Sequence, residues 1–280
     1  NSGGSEDVDG ALSIRLADPA RFGTDNTLFY LLTLEKVERQ HYTLERFEGG
    51  VGIRRIINPQ LTFEASVLAE TSKANDAFGI RDFDQVKFPL RGTLDKRDSD
   101  INATEGYFAD LRLTPFLAFN GRSSGAVAQA DGRAYVSLGE RVVLAGRLQL
   151  GSVVGPSLSD TSPEFLFFSG GAGTVRGQPY ESLGIPVGGD VSGGRSIAVA
   201  SAEVRTRVTE RISVVGFFDY GTVGSDSFIG SGSTYSHSGA GLGVRYDLGA
   251  IGPIRLDVAY PTSGSTSDGI QLYIGIGQSF

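Results

Sequence analysis

A chain of 280 residues can bury a sizeable core in one domain or two, while 40% hydrophobic content and a mean hydropathy near zero give no bulk membrane signal. Cys, Met and Trp are absent, which excludes a disulfide framework, a thiolate metal site and a cysteine nucleophile. The net charge of −7 is spread along the chain rather than clustered, which argues against nucleic acid as a partner. The longest apolar run, Leu28 to Leu34, is far below the roughly 18 residues of a spanning helix, so a helical membrane protein is excluded. A strand-built one is not, because only alternate residues must face lipid. The sequence opens at Asn1 with no signal peptide in view and reads as a fragment or processed product.

Along the chain, period-2 alternation dominates. "YFADLRL" sets Tyr107, Ala109, Leu111 and Leu113 against Asp110 and Arg112, and "RVVLAGRLQL" sets Val142, Leu144, Leu148 and Leu150 against Arg141, Arg147 and Gln149. "AEVRTRV" opposes Ala202, Val204 and Val208 to Glu203, Arg205 and Arg207. "PIRLDVAY" opposes Ile254, Leu256, Val258 and Tyr260 to Arg255 and Asp257. The last segment aligns Ile270, Leu272, Ile274, Ile276 and Phe280. About thirteen such segments of roughly ten residues are expected, the length a tilted strand needs to cross a bilayer. Connections at 58–60, 139–141, 209–211 and 249–252 are short; those at 71–83, 153–194, 222–237 and 261–269 are longer and rich in Gly, Ser and Asp. The alternation predicts an all-β, antiparallel up-and-down transmembrane barrel with tight turns on one side. The join at Val37 to Gln40 breaks the pattern, being short where a long one is due. A soluble antiparallel sheet is the competing fold, and alternation alone leaves it open.

The long connection is the most specific stretch. "FFSGGAGTVRGQPYESLG" (167–184) holds one arginine, Arg176, among glycines. It resembles the loop motif of the BamA/TamA superfamily of outer-membrane assembly barrels (the bacterial surface antigen family), most like the TamA branch. Gly170, Gly171, Val175, Arg176 and Gly177 match that motif, and Gln178 stands where the family has an aromatic. "FFDYG" (217–221) resembles the family's Phe-x-Asp-x-Gly strand, with Glu203 in the strand before it, and "DKRDSDINATEGY" (95–107) is similar to its acidic periplasmic turn. "LYIGIGQSF" resembles the C-terminal strand, whose signal and seam residues would be Tyr273, Gly275, Gly277 and Phe280.

The resemblance implies a barrel of sixteen strands, of which about thirteen are visible in this sequence. Residues 1–280 would then be the C-terminal outer-membrane barrel domain, lacking its first strands and the POTRA domains. It also implies a loop that folds into the lumen, where Arg176 pairs with Asp219 and Glu203. Parity turns both carboxylates inward, and a guanidinium is a planar fork suited to them. Phe280, taken at the parity of a lipid-facing strand, is expected to anchor the interface and mark the strand for assembly. The function implied is insertion, assembly or translocation of outer-membrane proteins and autotransporters in a Gram-negative outer membrane, through a lateral seam. No cofactor, metal or bond chemistry is involved. Partners would be the bilayer, unfolded outer-membrane clients and an inner-membrane TamB-like protein. A two-partner secretion pore and a passive porin are the alternatives. "GRSSG" (121–125) formally matches G-x-S-x-G, with Ser123, Asp219 and His237 in hydrolase order, but that motif requires a helix after it and "AVAQADGRAYVSL" (126–138) reads as strand.

Overall fold

The computed structural model describes residues 10–21, 23–249, 252–264 and 269–280. Its strands are β1 (Gly10–Pro19), β2 (Asn26–Glu38), β3 (Thr43–Asn58), β4 (Leu61–Asp76), β5 (Gly79–Lys87), β6 (Leu90–Asp95), β7 (Gly106–Ala118) and β8 (Gly125–Leu138). Next come β9 (Val142–Val154), β10 (Ile185–Val187), β11 (Asp190–Ser192), β12 (Ser196–Arg207), β13 (Ile212–Gly224), β14 (Thr234–Asp247), β15 (Pro253–Ser263) and β16 (Gln271–Ile276). Among the described residues, all but the small β10–β11 hairpin form one fourteen-stranded sheet in which neighbouring strands pair antiparallel and, β5 and β6 apart, follow one another in chain order. β5 and β6 both lie between β4 and β7, and Phe88–Pro89 divides them, so they are two halves of one wall position.

Outward residues form an apolar belt that the register makes continuous. Val258 opposes Leu242 on one side and Leu272 on the other, and Val244 opposes Val214 and Leu256. All of these are exposed, as are Val204, Leu148, Phe218 and Tyr260. The interior is the reverse: Glu48, Glu70, Arg81, Lys87, Asp110, Glu203, Arg205, Asp219, Arg245 and Asp257 are all buried. A soluble protein does not expose a continuous apolar belt while enclosing its charges. Hydrocarbon outside and a polar lumen account for both.

Several connections differ from the sequence expectation. Residues 71–83 are strand, not loop: β4 and β5 run past the membrane-crossing length and turn at Ala77–Phe78. Small polar residues there read as loop, yet Ser72 and Ala74 alternate inward as in any strand. The 222–237 connection shrinks to 225–233, since β13 and β14 extend into it. Of the turn at 249–252, residues 250–251 lie outside the described residues.

Candidate functional site

Residues 155–195, between β9 and β12, carry two short 3-10 turns (Leu158–Asp160 and Pro163–Phe165) and the β10–β11 hairpin. This loop touches the wall nearly all the way round. His41 Nε2 bonds the Glu181 carbonyl at 2.8 Å, and its ring stacks on Phe168 with centroids 4.8 Å apart. Arg81 Nη1 donates to the Ser159 and Thr161 carbonyls at 2.6 and 3.0 Å. Arg46 Nη1 donates to Glu164 Oε2 at 2.6 Å, and Lys87 lies 3.7 Å from the other oxygen. Arg147 Nη1 reaches the Gly173 carbonyl at 3.2 Å. A sheet that meets one loop from β3 to β16 is curled around it.

The tip holds Arg176, which is 2% exposed. Its Nε and Nη2 donate to Asp219 Oδ2 and Oδ1 at 2.7 and 2.9 Å, and its backbone N–H donates to Oδ2 at 3.1 Å. Nη1 donates to Glu203 Oε1 at 2.6 Å and lies 3.7 Å from Asp257 Oδ2. The guanidinium stands 3.6 Å over the Phe217 ring. Burial alone would lower its pKa; hydrogen bonding to Asp219 and the charge of Glu203 outweigh that and raise it, so the cation stays protonated. Before it, Val175 is fully buried with Ile185, Ile197, Val199 and Val223.

Close backbone approach explains two glycines. Gly177 has φ +89°, and a Cβ there would sit 2.8 Å from the Tyr260 carbonyl. On β14, a Cβ at Gly239 would lie 1.9 Å from the Arg176 carbonyl oxygen. Gly170 and Gly171 open the tight turn, where the Gly171 N–H donates to the Gln178 carbonyl at 3.0 Å. Gln178, replacing an aromatic, is buried and donates Nε2 to the Ser238 and Ser263 carbonyls at 2.8 Å each. Tyr180 is exposed and does not fill that place.

The structure thus brings Arg176, Asp219 and Glu203 together. Sequence reasoning missed Asp257, Phe217 and Gln178 as neighbours of the tip. It also assigned Tyr273 to a strand signal, whereas its hydroxyl accepts from the Gly177 N–H at 3.0 Å and so holds the loop. Alternation already pointed Asp257 and Tyr273 inward. Gly275 lies on β16 and Gly277 just beyond its end.

Phe280 requires a correction: it is 7% exposed and faces the lumen, packed with Ala103, Tyr135 and Ala145. Gly277, at φ +86°, ends the strand and turns the chain inward, so counting alternation past Ile276 is invalid. The three residues in hydrolase order form no set either. Ser123 N–H donates to Asp160 at 2.8 Å, Asp219 holds Arg176, and His237 Nε2 bonds Ser169 Oγ at 2.8 Å.

A sequence profile of the Omp85 superfamily domain matches residues 4–280. The chain belongs to the Omp85 superfamily. As an Omp85 barrel it resides in the outer membrane of a Gram-negative bacterium. Its fold is similar to BamA from Haemophilus ducreyi lacking POTRA domains 1–3, with TM-score 0.77 at 14% identity over 94% of this chain and 60% of that one. It is also similar to CdiB from Acinetobacter baumannii, with TM-score 0.54 at 11% identity over 94% of this chain and 55% of that one. The chain therefore spans little more than half the length of either structure.

Proposed function

We propose that this chain is the membrane-embedded barrel domain of a factor that inserts, assembles or translocates outer-membrane proteins, with Arg176, Asp219 and Glu203 as the latch of its lumenal loop. One observation carries the reading: the loop is clamped inside an Omp85 barrel by a buried arginine held on two carboxylates at 2.6–2.9 Å. A passive porin needs its lumen open, and here the loop occupies it. Unfolded outer-membrane proteins are the substrates in this reading, and an inner-membrane partner of the TamB kind fits it.

The seam is the edge of β16, six residues long and paired to β15. Among the described residues, β16 and β1 end the sheet with no ladder between them. An incoming strand would pair there through main-chain hydrogen bonds, without ATP. Gly275 removes a side chain from that edge, which weakens its packing.

The test is folding of an unfolded outer-membrane protein into vesicles that contain the protein carrying this chain. Arg176→Glu sets a third carboxylate against Asp219 and Glu203 and should abolish the acceleration. Full acceleration by a correctly folded variant would overturn the assignment. The secretion-pore reading rests on the weaker likeness to CdiB; export of a single dedicated partner, with no effect on other clients, would favour it.

A further inference from the structure

Beyond the latch, two buried routes lead from Arg176 to the segment after β16. Glu203 divides its carboxylate: Oε1 takes Arg176 Nη1 at 2.6 Å, and Oε2 takes Arg205 Nε at 2.9 Å. Arg205 Nη2 then donates to the Phe280 carbonyl at 3.2 Å, and its guanidinium lies 5.6 Å from the Phe280 ring centroid. On the second route, Asp257 lies 3.7 Å from Arg176 Nη1 and accepts from Arg245 Nη1 with its other oxygen. Arg245 Nε donates to Gln278 Oε1 at 3.1 Å. Both routes end on residues 277–280, which also grip the β6–β7 connection. Gln278 Nε2 donates to Asn102 Oδ1 at 2.9 Å, and Phe280 packs on Ala103.

We propose that Arg205 and Arg245 are positioning residues that couple the seat of the loop to the seat of residues 277–280, so that releasing one loosens the other. Each arginine shares a carboxylate with Arg176, and all four intermediates are 5% exposed or less. A partner that leaves therefore changes the balance of donors on the carboxylate it shared. If residues 277–280 swing out, Arg205 loses its carbonyl acceptor and Arg245 its amide acceptor. Beyond their carboxylates, Arg205 then keeps only the Ala103 carbonyl at 3.4 Å and Arg245 the Val244 carbonyl at 3.3 Å among the described residues, so both guanidiniums can shift on the carboxylates that hold Arg176. Coupling between sites is reciprocal, so loop release must weaken the 277–280 seat by the same factor. At the seam, the end of β16 would be held through the loop as well as through β15. The inference rests on the loop being a latch, and not on what that latch serves.

Spin labelling tests it, because the chain has no cysteine of its own. A nitroxide on Gly173→Cys, where an added Cβ meets nothing within 4 Å, reports loop mobility in vesicles. Combining Gln278→Ala with Phe280→Ala should raise the ratio of mobile to immobile label by roughly 5- to 150-fold. Arg205→Ala should do the same and Arg205→Lys less. Arg207→Ala, on the same strand but bonded to the Glu140 carbonyl, should leave the spectrum unchanged. In the reverse direction, a label on Ser279→Cys should gain mobility in Arg176→Lys. An unmoved loop spectrum in folded protein after release of residues 277–280 overturns the proposal, as does an unmoved Ser279→Cys spectrum in Arg176→Lys. Neither readout depends on insertion activity, so failure of the coupling and failure of the functional assignment are separable.

Discussion

Truncating Arg176 to Ala removes both side-chain hydrogen bonds that Asp219 receives from it, at 2.7 and 2.9 Å. Glu203 keeps Arg205 and Asp257 keeps Arg245, so the uncompensated charge falls on Asp219, which is wholly buried. Breaking a buried pair by removing one partner costs about 3–5 kcal/mol. At about 1.4 kcal/mol per factor of ten, the released-loop population should rise roughly 100- to several-thousand-fold. Val175→Cys supplies the assay. The side chain it replaces is fully buried in the seated loop, so a thiol there reacts with a water-soluble maleimide only after release. Labelling in vesicles should accelerate by that factor in the Arg176→Ala background. Asp219→Asn should accelerate it less, because Arg176 keeps Glu203. A rate for Arg176→Ala within tenfold of the parent would show that something other than the arginine holds the loop.

Burial pushes the Glu164 carboxyl up to about 7, against the pull of Lys87 and with the push of Glu70. The seated loop then holds a proton that the released loop gives up between about pH 4.5 and 7, so this group's support is full below that window and is lost as pH rises through it. Val175→Cys labelling should accelerate across that range, and Glu164→Gln should flatten the profile; an unaltered profile would exclude Glu164 as its source. On the outer face, Leu242→Arg near the middle of the apolar belt should cost about 2–4 kcal/mol in denaturant unfolding from vesicles. Unchanged stability would place that face in water.

Alternation made the strands legible, because lipid outside and charge inside write a period of two into every crossing. Asp219 and Glu203 could be assigned inward for that reason. Strand length above the membrane was less legible. Ser, Thr and Asp at 71–83 serve equally in loops and in strands with water on both faces, and only the register with β5 decides. Phe280 misled because periodicity holds only while the strand lasts, and Gly277 ends it. Contacts of the loop with His41, Arg46 and Arg81 lie 78 to 140 residues apart in the chain, and no local pattern encodes them.

The partners of the loop tip also fix an order of assembly. Asp219, Asp257 and Tyr273 all come after Arg176 in the chain, Tyr273 by about a hundred residues, and such distant contacts form late because loop closure must come first. An arginine that meets Glu203 and Asp219 with β12 and β13, but has Asp257 and the Tyr273 hydroxyl beside it only once the final hairpin is in place, has its seat finished last. A barrel stalled before β15 and β16 would lack Asp257 and the Tyr273 hydroxyl, leaving its loop less firmly seated, more open to proteases and recognisable as unfinished.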